Sequence, residues 1–133
     1  MASNQFPITN FLGTQAFGPV NVPAGLTRAT IALDGTNMTD PAMLGSLTLD
    51  LSLDSGVTWA SDNPSIDTNP FPCVMTFQGG AMTVAKPGKP SVPLPFYDLN
   101  CDIPHSELTT RRVKGVLTVA GVALTTTATL TTA

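Results

Sequence analysis

The sequence predicts an all-β protein: a single-domain antiparallel β-sandwich that is jelly-roll-like, with an immunoglobulin-like sandwich as the alternative. Its 133 residues match the usual size of one domain. Only 11% of the residues are charged, while 20 are threonine, a β-branched residue that favours strands. Proline and glycine are spread along the whole chain. Strand patterns separated by such turn residues, at intervals of about ten residues, are typical of sandwiches, jelly rolls and barrels.

The N-terminal region is predicted to be an extended arm (residues 1–16) that precedes a β-sandwich domain (residues 17–133). Glycine and proline punctuate residues 9–23, so that only Phe17–Val22 is expected to pair as a strand. The alternating side chains of Leu26–Asp34 then predict the first regular strand.

The segment Leu47–Leu53 is the strongest strand prediction. Leucine occupies every second position, with Thr48, Asp50 and Ser52 between the leucines. This period of two excludes an amphipathic helix and predicts one core face and one solvent face. After a turn at residues 54–56, the chain is expected to return as a strand through Val57–Ala60.

Further strands are predicted on either side of Gly79-Gly80 and at the C-terminus. Residues 61–72 are rich in Asp, Asn and Pro and predict a loop. The prolines at 93 and 95 confine residues 92–96 to a sheet edge or an extended segment. The remaining predicted strands are Cys73–Gln78, Met82–Ala85, and a long terminal hairpin formed by Leu108–Val119 and Val122–Leu130, which turns at Ala120-Gly121.

The two cysteines, Cys73 and Cys101, are too few to define a disulfide framework. The N-terminus has neither the basic segment nor the apolar segment of a signal peptide. Because the cytosol keeps thiols reduced, both residues are predicted to be free thiols.

One segment matches a specific motif, the Asp box S-x-D-x-G-x-T-W. Aspartate accepts hydrogen bonds from turn amides, glycine supplies positive φ, and tryptophan covers the base of the hairpin. The motif therefore predicts a stabilised hairpin, with a carbohydrate contact or a cation at the aspartate as the alternative. The constrained positions are Ser52, Asp54, Gly56, Thr58 and Trp59.

The order of these features carries a family resemblance. Gly18–Gly25 reads Gly-Pro-Val-Asn-Val-Pro-Ala-Gly and leads into an alternating strand, the Asp-box hairpin and a threonine-rich terminal hairpin. This layout resembles the small β-sandwich proteins of tailed-phage virions, including head decoration (cement) proteins and short tail or fibre accessory modules. The resemblance implies a structural role at the capsid surface of a virion assembled in the host cytoplasm, without catalytic residues.

Catalytic and metal-binding patterns are weak. His105 is the single histidine and lies close in sequence to Cys101 and Asp102, but Pro104 intervenes and no second His/Cys cluster exists. Glu107 is the sole glutamate, and no nucleotide-binding or metalloprotease motif occurs. The prediction is a protein that is not an enzyme and has no cofactor and no metal site.

Charge and aromatic positions suggest how the chain meets its partners. A net charge of −3 and a pI near 4.7 argue against nucleic-acid binding, and the threonine-threaded C-terminal stretch argues against a membrane span. Six of the nine acidic residues fall between Asp34 and Asp67, so a basic cluster elsewhere favours pairing between subunits. The candidate partner-binding residues are Phe6, Phe11 and Phe17 in the N-terminal region and Arg111, Arg112 and Lys114 in the basic cluster.

Two functions follow as hypotheses. The first is a non-enzymatic virion structural protein, a decoration or cement protein that binds the major capsid protein and stabilises the phage head as a homo-oligomer, trimer or dimer. In this hypothesis, deleting residues 1–16 leaves the fold intact and weakens assembly. The alternative is a carbohydrate-binding or accessory module of a phage tail or fibre, which would use Trp59, Phe96 and Tyr97 to stack on sugars.

Overall fold

The computed structural model describes residues 2–33, 42–78, 81–87, 92–94 and 98–133. These residues form eight strands and no helix, and therefore contain no helix that could cross a membrane. The predicted antiparallel all-β class is confirmed. The strands are β1 (Ala2–Asn21), β2 (Arg28–Leu33), β3 (Leu44–Ser52), β4 (Cys73–Gln78), β5 (Ala81–Ala85), β6 (Val92–Leu94), β7 (Asp98–Asp102) and β8 (Arg112–Thr132).

Strand β8 organises the sheet. Strand β1 pairs antiparallel with it from Ala2 opposite Thr132 to Asn21 opposite Arg112. On the opposite edge of β8, β3 pairs with residues 112–120 and β2 pairs with residues 128–132. The sheet continues from β3 through β4, β5 and β6, which we call the wide half, and from β2 to β7, which we call the narrow half.

A bend at Gly121 separates the two halves. Every odd residue of β8 from Val113 to Val119 is buried, whereas the even residues from Leu124 to Thr132 are buried beyond the bend. Gly121 has φ of 83°, and a Cβ there would collide with the carbonyl oxygen of Ala42. The predicted terminal hairpin is therefore wrong: the chain changes the phase of its alternation at the glycine and continues in one direction.

The N-terminal region also differs from its prediction. Residues 2–21 are paired with β8, so the expectation that only Phe17–Val22 pairs is wrong. Irregularities in register, such as that between Phe17 and Val20, absorb the glycines and prolines, because an edge strand needs a partner on one side only. Ile8 is buried in the core, and deletion of residues 1–16 would remove it.

The two halves enclose one hydrophobic core. The predicted leucine face of β3 is buried at Leu47, Leu49 and Leu51. A Cβ on Gly115, in the wide half, would collide with Ile31 of β2, in the narrow half, so the missing side chain allows the two layers to pack closely. The fold is thus sandwich-like, with a sheet that curls toward closure.

The opposite face of β3 is less exposed than its alternation predicts. Asp50 is only 2% exposed, because the chain after β3 folds back over it. Its carboxylate accepts hydrogen bonds from the amides of Leu51 and Ser61 and from the Ser61 hydroxyl. A buried carboxylate of this kind is retained where several donors satisfy it.

The prediction of free thiols is wrong. Cys73 in β4 and Cys101 in β7 form a disulfide, and both residues are buried. The bond joins the wide half to the narrow half across 28 residues of sequence. Spacing along the chain could not reveal it, because β4 and β7 meet only when the sheet curls over the core.

Candidate partner-binding surface

The five Asp-box residues form a closed turn after β3. Ser52 Oγ donates to Asp54 Oδ1 at 2.7 Å and accepts from the Gly56 amide at 2.9 Å. The Thr58 amide and hydroxyl both donate to the Asp54 carboxylate. Gly56 has φ of 89°, as its role in the motif requires. The predicted return strand Val57–Ala60 does not form, and the segment instead starts the loop that covers Asp50.

Asp54 is an acceptor for its own turn. The hydrogen bonds from Thr58, and then the one from Ser52, lower the pKa of Asp54 to about 2. Both carboxylate oxygens are occupied by these donors. The turn therefore uses the carboxylate that a carbohydrate contact or a bound cation at Asp54 would need.

Trp59 is half-buried beside the Asp-box turn. The ammonium of Lys114 lies 4.3 Å from the centroid of its ring, a cation–π contact. This contact occupies one face of the ring that would have to stack on a sugar. The other two aromatic candidates for sugar binding, Phe96 and Tyr97, lie outside the described residues.

Arg111 has an internal role. Its side chain is fully buried, and its guanidinium donates to the carbonyls of Pro23, Leu26 and Pro104 at 2.8–3.1 Å. Burial lowers the pKa of Arg111, and the charge of Glu107 opposes that shift. The residue thus ties together the loops on either side of the narrow half. Sequence reasoning placed it on the surface because arginine is rarely buried.

The other candidates for partner binding are divided between core and surface. Phe17 is buried, and its ring lies 5.3 Å from that of Phe6. Phe6 and Phe11 are partly buried against the core. Arg112, which donates to the carbonyls of Thr109 and Arg111, and Lys114 remain partly accessible. The structure therefore does not bring the six residues together as one surface.

The segment around His105 carries no assembled site. His105 lies 3.6 Å from Glu107, and both side chains are exposed. Cys101 is held in the disulfide. Among the residues that the structure describes, no group of three His, Cys, Asp or Glu side chains could hold a metal ion.

A row of hydroxyl side chains crosses the outer face of the wide half. Register places each member directly opposite the next on five neighbouring strands. Two pairs are hydrogen-bonded, Thr14 with Thr118 at 3.1 Å and Thr76 with Thr83 at 2.8 Å. We call this the hydroxyl row, and in strand order it consists of Thr14, Thr118, Ser46, Thr76 and Thr83.

The neighbouring row on the same face is also uncharged. Two residues further along each strand, small and β-branched side chains stand opposite one another: Ala16, Val116, Thr48, Val74 and Ala85. Exposed Leu44 extends the surface beyond the hydroxyl row. We call the two rows together the uncharged face. Sequence reasoning identified the outward Thr48 of β3, but only the register shows that it belongs to one of two aligned rows across five strands.

Comparison with known proteins gives no relationship for this arrangement. No protein-family model matches the chain, and neither a curated protein nor a solved structure matches it significantly.

Proposed function

We propose that this chain is a non-enzymatic structural protein of a tailed-phage virion, a decoration or cement protein that binds the capsid surface and stabilises the head. The observation that carries the proposal is the uncharged face. Its ten side chains, all Thr, Ser, Ala or Val, present hydroxyl and aliphatic groups and no ionised group. Covering such a surface costs less desolvation free energy than covering ions.

The disulfide supports a location outside a reducing compartment. Disulfides persist at virion and cell surfaces, whereas the cytosol reduces thiols. In this proposal the chain is assembled in the host cytoplasm, and the Cys73–Cys101 bond forms once the particle has left the cell. Both cysteines are buried, so the bond reinforces the subunit and is not available to crosslink it to the capsid.

The proposal is tested by sedimentation with intact particles. Particles from cultures that carry the gene should contain the chain in a fixed copy number. Particles stripped of the chain should rebind it when it is added back and should then resist heating. If the wild-type chain does not sediment with intact particles, the proposal is wrong.

A matched pair of variants on β8 tests the surface. Thr118→Lys places a cation in the hydroxyl row, whereas Thr129→Lys places one on the outer face of the narrow half, and both parent threonines are half-buried. We expect Thr118→Lys to weaken capsid binding by about tenfold or more, because the ammonium must be desolvated, and Thr129→Lys to bind as wild type. Equal binding by both variants would exclude the uncharged face as the docking surface.

A further inference from the structure

Strand β1 has a free edge. Of the described strands, only β8 pairs with it, although β1 is 20 residues long. The unpaired amide and carbonyl groups of such an edge form a template for another strand. Natural proteins protect long edges with charged side chains, prolines or bulges.

The protection of β1 is incomplete between residues 13 and 17. No Asp, Glu, Lys, Arg or His occurs between residues 2 and 21. Proline and the register irregularities interrupt the edge near Ile8–Gly13 and Phe17–Val20. Between these interruptions, Gly13–Phe17 runs in regular register with β8 and contains no proline. Thr14, Gln15 and Ala16 are all exposed.

We propose that this segment pairs, antiparallel, with the same segment of a second copy of this chain. The inference rests on the proposed function. A decoration protein of this kind is expected to be a homo-oligomer, and the pairing would be the interface between its subunits. A two-fold axis at Gln15 places Gln15 opposite its own copy and Thr14 opposite Ala16 of the second chain. Such a contact is self-complementary, as two-fold dimers require.

The lack of charge along β1 favours a second copy of this chain as the partner at its free edge. In a two-fold contact, a side chain on the axis meets its own copy, so that a charge there would repel itself. The absence of charge along β1 removes this repulsion, and the glutamine amides at the axis can hydrogen-bond to each other. The acidic residues of the described Asp-box loop lie beyond β3 and not on β1.

The pairing also enlarges the surface that the proposed function uses. Thr14 and Ala16 are the β1 members of the uncharged face. Joining two copies at β1 makes the two uncharged faces continuous over ten strands. One face is about 24 Å by 14 Å from strand spacing and rise, on the order of 330 Å². Two copies together approach the roughly 800 Å² that a stable complex buries on each partner.

The purified full-length chain tests the pairing in the absence of capsids. Sedimentation equilibrium should give twice the 13.8 kDa of one chain. Gln15→Lys should weaken self-association about fivefold or more, because it sets two like charges opposite each other. Gln15→Glu should do the same, and an equimolar mixture of the two variants should associate again. The matched control is Gln78→Lys, which changes an exposed glutamine on β4 and should leave the mass unchanged.

A cysteine pair gives a second readout that is independent of affinity. Directly opposite residues in an antiparallel pair have Cα atoms about 4.5–5.5 Å apart, within the range that a disulfide spans. Gln15→Cys should therefore form a covalent dimer on mild oxidation, and Gln78→Cys should not.

Three results would overturn the pairing: a wild-type chain of 13.8 kDa at all concentrations, a Gln15→Lys variant that associates as wild type, or equal crosslinking of both cysteine variants. A monomeric chain that still sediments with particles would reject this interface and leave the proposed function standing. A dimer that does not sediment with particles would reject the proposed function and leave this interface standing.

Discussion

The wide and narrow halves of the sheet share β1 and β8 but present different outer surfaces. The uncharged face of the wide half crosses five strands without an ionised side chain. The outer surface of the narrow half carries Arg28, Asp98 and Asp102, and Arg28 lies 3.7 Å from Asp102 with both side chains exposed. The same two long strands thus support one surface with an uncharged patch and one with exposed ions.

The difference arises from the strands that flank β8. Strand β8 itself contributes outward threonines to both halves, Thr118 in the wide half and Thr129 and Thr131 in the narrow half. In the wide half, β3, β4 and β5 continue its rows with Ser, Thr, Val and Ala. In the narrow half, β7 adds aspartates. Exposed aspartates on β7 distinguish the narrow half from the uncharged face, whereas the two cations of β8 in the wide half, Arg112 and Lys114, lie outside that face.

The largest expected effect concerns the buried arginine beside the narrow half. Arg111→Met removes the guanidinium donor from the carbonyls of Leu26 and Pro104, and leaves the Pro23 carbonyl with the Leu26 amide alone. We expect the free energy of unfolding in urea to fall by about 4 kcal/mol, because three hydrogen bonds from a charged donor are lost at once and each is worth roughly 1.5 kcal/mol or more. Hydrogen exchange should rise first in β2 and β7, since these three carbonyls lie in the loops that flank the narrow half.

The neighbouring arginine provides the control. Arg112→Met removes hydrogen bonds to Thr109 and Arg111 from a partly accessible side chain, and should lower the free energy of unfolding by about 1 kcal/mol or less. If both variants lose the same stability, or if exchange rises first in β3 and β4, Arg111 does not hold the narrow half in the way the structure indicates.

The second effect concerns the link between the halves. Replacing both Cys73 and Cys101 by alanine removes a crosslink that spans 28 residues. Loop-closure entropy predicts a loss of about 3–4 kcal/mol in the free energy of unfolding. Reduction of the wild-type chain in denaturant should give a similar loss, whereas the reductant should not affect the double variant. A reductant-sensitive double variant, or a wild-type chain that is indifferent to reduction, would contradict the link.

The smallest effect concerns the Asp-box turn, which follows β3 at the end of the wide half, and it depends on pH. Folding holds the pKa of Asp54 at about 2, below its ordinary value of 3.8. The resulting stabilisation is fully present above that ordinary value and is lost as the pH falls through the folded one. Urea midpoints should therefore decline between about pH 4 and pH 2 in the wild type, and Asp54→Asn should lack this part of the decline.

Thr58→Val provides the control for Asp54. It keeps the carboxylate but removes the hydroxyl donor that contributes most to the shift. The loss of stability on acidification should then be smaller, and should be complete at a higher pH, than in the wild type. Identical acid profiles for the wild type and both variants would show that the turn does not stabilise the ionised carboxylate.

The success of the sequence-based prediction varied from strand to strand. Strands β2 and β3 were predicted within three residues, because one buried face imposes alternation on the sequence. Strands β1 and β8 were not, because glycine and proline resemble strand breaks when the partner strand is unknown. The turn of the Asp box was predicted because its hydrogen bonds join residues at most four apart, but the hairpin expected around it does not form.

The sequence by itself determined the all-β class, the leucine face of β3 and the closed turn at Asp54, since each depends on local geometry or on the period of two. The tertiary structure decided the rest. The Cys73–Cys101 disulfide, the burial of Arg111 and the alignment of the hydroxyl row all depend on strand pairs or loops brought together across the fold. One sequence fixes which residues can face outward, but register and curvature fix which of them become neighbours.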